Sequence, residues 1–243
     1  MIEVYPATMG IYPRYAIYYA PARDSELGRF GTELLGYDAY DGADLPFPDG
    51  ITFSRSDWLD ITADPRKYGF HATLKAPMTL ADGKTEADLA AACETFAATA
   101  RQIPVIDPVV DSIDGFIAVI PASPSADLTH LAAEVTREFD SFRAPLTPED
   151  RIRRNPAKLT PRQRDYLDRW GYPYVMEEFR FHMTLTGRLD AERREHAMAM
   201  LKSRFSDMSL HKLAIDRFAL FRQDRADSRF RVIRDYVLEE IGG

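Results

Sequence analysis

The pentapeptide Phe-His-x-Thr-Leu occurs twice in this chain, as "FHATL" at 70–74 and as "FHMTL" at 181–185. Two of the five histidines among 243 residues therefore share one local context. Apolar and polar side chains alternate through both copies, the pattern of a strand with one buried face. In the first copy Phe70, Ala72 and Leu74 share one face, and His71, Thr73 and Lys75 share the other. In the second, Phe181, Met183 and Leu185 lie opposite Arg180, His182, Thr184 and Thr186. A slip of one residue would turn both histidines into the core, so the register is strongly specified.

The surroundings repeat as well. The first motif strand (69–74) is followed by an alanine-rich helix over 84–103, which Thr85 is placed to cap. The strands "VIDPVVDSI" and "GFIAVIPA" come next, turning at Asp114-Gly115. The second motif strand (179–187) is followed by a helix over 190–205, then by "SLHKLAIDRFALFRQ" and "SRFRVIRDYVLEEI" as strands around Asp224 to Asp227. Strand, helix, strand, strand thus occurs twice, over approximately 66–122 and 178–240. A duplicated unit predicts two similar lobes about a pseudo-twofold axis, with the motif strands facing each other across a cleft. We read residues 1–243 as a single bilobal domain.

The remaining segments are a strand at 14–21, a helix after Asp24 stopped at Gly36, loop over 38–66 and a helix over 125–139. An irregular insert at approximately 144–178 carries five prolines and short helical pieces such as "TPRQRDYLDRW".

Two imidazoles on facing strands can divide proton work. The neutral form takes a proton from water or a hydroxyl, and the protonated form gives one to a leaving alkoxide. Thr73 and Thr184, two residues along on the same faces, can hydrogen-bond phosphate oxygens. Lys75 and Arg180 add positive charge where negative charge builds up in a transition state, and Thr186 extends the polar face. The set suits hydrolysis of a phosphodiester, above all a strained cyclic one, with no metal and no cofactor expected.

The two His-x-Thr-hydrophobic motifs, about one lobe apart, resemble those of the two-histidine (2H) phosphoesterase superfamily. "YGFHATLKAP", "GYPYVMEEFRFHMTLTG" and the "FALFRQD…FRVIRDYVL" tail are similar to the bacterial branch found with phosphonate-utilisation operons. The resemblance covers nearly the whole chain. It implies an α+β fold of two pseudo-symmetric lobes, each an antiparallel sheet with helices on its outer face, around a central cleft. It implies acid and base roles for His71 and His182 and phosphate contacts for Thr73 and Thr184. The expected activity is a cyclic phosphodiesterase-like hydrolase acting on a small nucleotide or ribose cyclic phosphate. The rival reading is a non-catalytic module that holds a phosphorylated metabolite or an RNA end in the same cleft. Tight binding without turnover would favour that rival, and chelator-sensitive turnover would favour a metal phosphatase.

Bulk properties narrow the partners. A net charge of −7 disfavours binding to extended nucleic acid, which relies on Lys and Arg against phosphates. No run reaches membrane-span length, and the segment "MIEVYPATMGIYPRY" lacks a signal layout, so a cytoplasmic location is expected. Cys93 is the sole cysteine and reads as core packing in its helix. His130, His196 and His211 have no repeated context and read as surface or structural. Asp57 and Asp60 read as solvated turn residues. Neither a Gly-x-Ser-x-Gly elbow nor a Walker-type phosphate loop occurs. Tyr15, Tyr18 and Tyr19 in "RYAIYYAP" read as core, with base stacking as the alternative. The basic cluster at Arg151, Arg153, Arg154, Lys158, Arg162 and Arg164 reads as a solvated face or as a lid over a phosphorylated substrate.

Overall fold

The computed structural model describes residues 12–242. Residues 1–11, which make up most of the segment read for a signal layout, and Gly243 lie outside the described residues. Among the described residues, no helix is long and apolar enough to cross a membrane.

In chain order the strands are β1 (Arg14–Tyr19), β2 (Tyr37–Asp38), β3 (Ala43–Asp44), β4 (Ala72–Met78), β5 (Val105–Ile106) and β6 (Pro108–Ile113). They continue with β7 (Phe116–Pro121), β8 (Met183–Thr184), β9 (Leu213–Ala214), β10 (Arg217–Gln223) and β11 (Arg231–Val237). The α-helices are α1 (Glu26–Leu35), α2 (Arg55–Ile61), α3 (Ala63–Arg66) and α4 (Glu86–Ala97), then α5 (Ala126–Glu138), α6 (Pro148–Arg153), α7 (Pro161–Trp170) and α8 (Ala191–Asp207). Side chains of Ser25, Ser54, Thr85, Ser125, Thr147, Thr160 and Asp190 each accept a backbone N–H at a helix start. Such caps satisfy donors that the helix itself leaves open.

A seven-stranded antiparallel sheet runs in the order β11-β10-β1-β4-β8-β7-β6. It falls into two halves that meet at one residue pair, Ala72 with Met183. Helices α4 and α5 pack on the first half and α8 on the second. Ile17, Leu74, Leu89, Leu131, Met183 and Leu201 belong to the core that fills the space between sheet and helices. The architecture is α+β with two lobes, each antiparallel and backed by helices. The two lobe sheets are continuous at the β4–β8 seam.

The lobes are not the two repeats. β4 and α4 belong to the first copy, yet the hairpin β10–β11 of the second joins their half of the sheet through β1 and carries α4. β8 and α8 of the second copy pack with the hairpin β6–β7 of the first. Each copy lends its hairpin to the other.

Two local expectations change. Ser25, not Asp24, caps α1, although Gly36 does end it in the left-handed region at φ 64°. The stretch 38–66 contains α2 and α3, because Trp58 is fully buried and donates its indole N–H to the Leu34 carbonyl at 2.9 Å. Asp57 and Asp60 therefore lie on a helix and not in a turn.

Candidate active site

The seam between the halves gathers the motif residues. Ala72 and Met183 are both fully buried on the helix side of the sheet. Extending their pairing by one residue each way sets His71 beside Thr184 and Thr73 beside His182, all four on the opposite face. The histidines are then diagonal neighbours across antiparallel strands, on the order of 7–8 Å apart. Each histidine is half-buried and held in the same way. Nδ1 of His71 lies 2.9 Å from the Gly69 carbonyl, and Nδ1 of His182 lies 2.7 Å from the Arg180 carbonyl. Because a carbonyl only accepts, each Nδ1 carries the proton and each Nε2 keeps its lone pair. The Thr73 hydroxyl is 3.4 Å from Nε2 of His71, a long contact within the motif.

Sequence explains how the first ring is placed. Gly69 adopts φ +77°, where an added Cβ would stand 2.7 Å from the Ala39 Cβ. Phe70 is pressed on α1, where a Cβ on Gly31 would fall 2.0 Å from the phenyl ring. Tyr18 stacks on the His71 ring with centroids 3.8 Å apart. Phe116 lies 5.5 Å from His182 in the same measure.

Burial pushes the His71 imidazole down to about 4; the Gly69 hydrogen bond opposes this, and charge on His182 adds to it. His182 is also lowered by burial, against the pull of the Arg180 carbonyl; the Arg180 charge lowers it further and Asp114 opposes. Between about pH 6.5 and 4 the unfolded chain protonates His71 and the folded chain does not. Stability is therefore complete above about 6.5 and falls as the pH drops toward 4, by about 3 kcal/mol for His71. Melting curves from pH 7 to 4 should show this loss, and His71→Asn should flatten it.

A cavity of about 450 Å³ opens on the same face. His71, Thr73 and Thr184 line it, whereas His182 does not. The insert forms its other wall through residues such as Pro145, Arg154, Trp170 and Tyr172. It is fixed to α5 by Val175 and Met176 against Ala133. Within the basic cluster, Arg151 pairs with Asp168, Arg153 with Asp150 and Arg162 with Glu178. Arg154 lies over the Tyr172 ring and makes no side-chain hydrogen bond or ion pair among the described residues.

Two expected substrate contacts are committed to partners within the protein, although Lys75 borders the cavity. Lys75 is 3% exposed, and its Nζ donates to Asp140 at 2.7 Å and to the Thr136 carbonyl at 3.1 Å. The cause is a β-bulge: Tyr18 pairs with Thr73 but Ile17 with Lys75, so β4 uses two steps where β1 uses one. Leu74 and Lys75 consequently both face the helices. Burial lowers the Lys75 ammonium while Asp140 opposes. Thr186 is fully buried; it accepts from Ile117 N at 3.0 Å and donates to the Gly187 carbonyl at 2.9 Å. The Leu185 and Thr186 N–H groups share the Ile117 carbonyl, which ends the alternation just past β8. Arg180 stays exposed and near His182. Arg14, which sequence reading passed over, points into the cavity from β1.

His130 is exposed beside Glu134, His196 stacks on Phe53, and His211 is exposed. Cys93 is fully buried and its thiol is pushed up by burial to about 12.

Residues 73–231 match a family described as a protein of unknown function, DUF1045. The chain belongs to this DUF1045 family. A relative from Janthinobacterium sp. (strain Marseille), named ribose 1,5-bisphosphate phosphokinase PhnN, is 38% identical over 181 residues, covering 72% of this chain and 39% of the relative. A second protein of that name, from Laribacter hongkongensis (strain HLHK9), is 33% identical over 222 residues, covering 91% and 51%. The chain thus spans about half or less of the length of the curated relatives it matches. The crystal structure of E. coli LigT complexed with NADP+ aligns with TM-score 0.39 and 15% identity, over 93% of this chain and 98% of that one.

Proposed function

We propose that the chain hydrolyses a small cyclic phosphodiester with His71 and His182 as base and acid. The observation that carries this reading is the duplicated clamp: each Nδ1–H is tied to a carbonyl two residues back, and each Nε2 is left for proton transfer. His71, held neutral by burial, takes a proton from water through Nε2 as the water oxygen bonds to phosphorus. The P–O bond to the ring oxygen breaks, and His182 delivers a proton to that oxygen. An arriving phosphate anion supplies the negative charge that raises both imidazoles and lets one hold a proton. Thr73 and Thr184 donate to the non-bridging oxygens. Thr73→Ala and Thr184→Ala should each cost around one to two powers of ten in kcat/KM, the worth of one or two hydrogen bonds to a charged group. Thr186→Ala should instead lower the melting temperature, because its hydroxyl ties β7 to the chain after β8.

The substrate class we favour is a ribose cyclic phosphate, with breakdown of phosphonates as its setting. The longer relatives are named for a kinase of ribose 1,5-bisphosphate, and opening a cyclic ester between O1 and O2 of ribose leaves a monoester at C1, as in that compound. A kinase reading for this chain finds less support. Its Gly83-Lys84-Thr85 has Met78 where a phosphate loop needs glycine, Thr85 caps α4, and Lys84 lies over the Phe142 ring. The test is a panel of 2′,3′-cyclic nucleotides, linear 2′,5′ dinucleotides and ribose cyclic phosphates, followed by phosphorus NMR. Ring opening supports the hydrolase. Tight binding with no product supports the binding module, and ATP consumption with ribose 1,5-bisphosphate supports the kinase.

A further inference from the structure

Arg14, Arg154 and the tyrosines Tyr18, Tyr68 and Tyr172 are among the residues that line the cavity beside His71, Thr73 and Thr184. Arg14, Ala16 and Tyr18 alternate onto the cavity face of β1. Nε of Arg14 donates to the Gln223 side-chain oxygen at 3.0 Å, and Nη2 contacts the same atom. Gln223 is in turn fixed by donating to the Ser228 carbonyl at 2.7 Å. Among the described residues Arg14 is therefore held by a neutral amide and not by a carboxylate. Its Nη1 protons meet no acceptor among the described residues. The guanidinium lies 5.3 Å from the Tyr12 ring centroid and 5.6 Å from that of Phe230, which fixes it further. Arg154 approaches from the insert, 5.0 Å from the Tyr172 ring centroid, again without a carboxylate partner among the described residues. The hydroxyls of Tyr18, Tyr68 and Tyr172 make no hydrogen bond among the described residues, although all three residues line the cavity. Burial raises the Tyr18 and Tyr172 phenols, which keeps them as O–H donors. The cavity's acid, Asp150, is already paired with Arg153 and with Thr147.

From this convergence we propose a second anion subsite, in which Arg14, Arg154 and the Tyr68 and Tyr172 hydroxyls hold a phosphate monoester on the substrate, separate from the ester that is opened. The proposal rests on the hydrolase reading and narrows it to cyclic phosphates that carry a second phosphate. The side chains assigned to the position can all donate: two cations fixed by neutral partners, and phenols with unfilled hydrogen bonds among the described residues. A purine or a neutral sugar would leave both cations unpaired in a half-buried wall, whereas a phosphate dianion uses them bidentately. Long-range attraction to the whole chain cannot stand in for the subsite, since the net charge is −7.

The test uses ribose 1-phosphate and ribose 1,5-bisphosphate, which differ by the second phosphate alone, with calorimetry on the intact chain. The expected result is at least about 30-fold tighter binding of the bisphosphate, with roughly tenfold of that ratio lost in Arg154→Met and in Arg14→Met. Tyr172→Phe should lose part of the ratio at unchanged melting temperature, and this covers the case in which Arg14→Met unfolds. Lys158→Met, exposed on the same insert, should leave the ratio alone. Equal binding of the two sugars by the wild type, failure to bind the bisphosphate, or a ratio that survives Arg154→Met and Tyr172→Phe would overturn the subsite. If the ratio holds while no cyclic ester is opened, the subsite stands and the hydrolase reading fails.

Discussion

His71→Ala and His182→Ala are each expected to lower kcat by roughly two to four powers of ten, the usual worth of a positioned acid or base. The double variant should lose less than the product of the two, because a base without its acid has little left to accelerate. Both rings lie on the face away from the core, so circular dichroism should stay near wild type. The pH profile separates the roles. Wild-type kcat/KM should fall on the acid side as His71 takes up its proton, and that limb should vanish in His71→Ala. The limb should sit below the ordinary histidine range, since burial lowers His71 to about 4 in the free protein. Near-normal turnover of a confirmed substrate by either single variant would mean that the repeated pentapeptide records shared ancestry without shared chemistry.

Lys75→Met should act on the fold. Its ammonium sits at the end of a buried stem, bonded to Asp140 and to the Thr136 carbonyl. Removing one partner of a buried ion pair typically costs several kcal/mol. Here Arg143 continues to hold Asp140 through two nitrogens, at 2.8 and 3.1 Å, which brings the expected loss to roughly 2–3 kcal/mol. That corresponds to a fall of about 5–10 °C in melting temperature for a chain of this size. A stable Lys75→Met protein with a collapsed rate would return the lysine to the substrate, against the geometry of the bulge.

Local chemistry was readable at several element ends, although the α1 cap falls on Ser25 and not on Asp24. Thr85 with Asp88 closes a capping box at α4, Ser125 opens α5, and Asp114-Gly115 turns the β6–β7 hairpin at φ 48° and 92°. The motif histidines and threonines alternate as their pattern requires as far as Thr73 and Thr184. The misreadings begin one residue later in each motif. A strict two-residue period places Lys75 with His71 and Thr186 with His182; a bulge at Leu74 and a shared carbonyl after Thr184 break that period, and neither leaves a trace in residue type. α2 was hidden because only two of its seven residues, Trp58 and Ile61, are buried, too few to show a helical period. Arg14 and Arg154 lie 140 residues apart, and nothing in either neighbourhood indicates that a folded insert brings them to one wall. The choice of hairpin partner was equally out of reach, since by pattern alone either hairpin could join either half of the sheet.

That exchange of hairpins has a consequence during synthesis. β1 and β4 leave the ribosome early, but the strand that covers the open edge of β1 is β10, some 200 residues later. Until then a Tyr- and Ile-rich strand presents unpaired N–H and C=O groups to any other nascent chain nearby, the condition under which edges join wrongly. Nor can the first lobe finish before the second is nearly complete, because β10 and β11 follow α8 in the chain. The two motif histidines therefore become neighbours only late in folding, and a partly made chain holds neither half of the proposed proton relay in place.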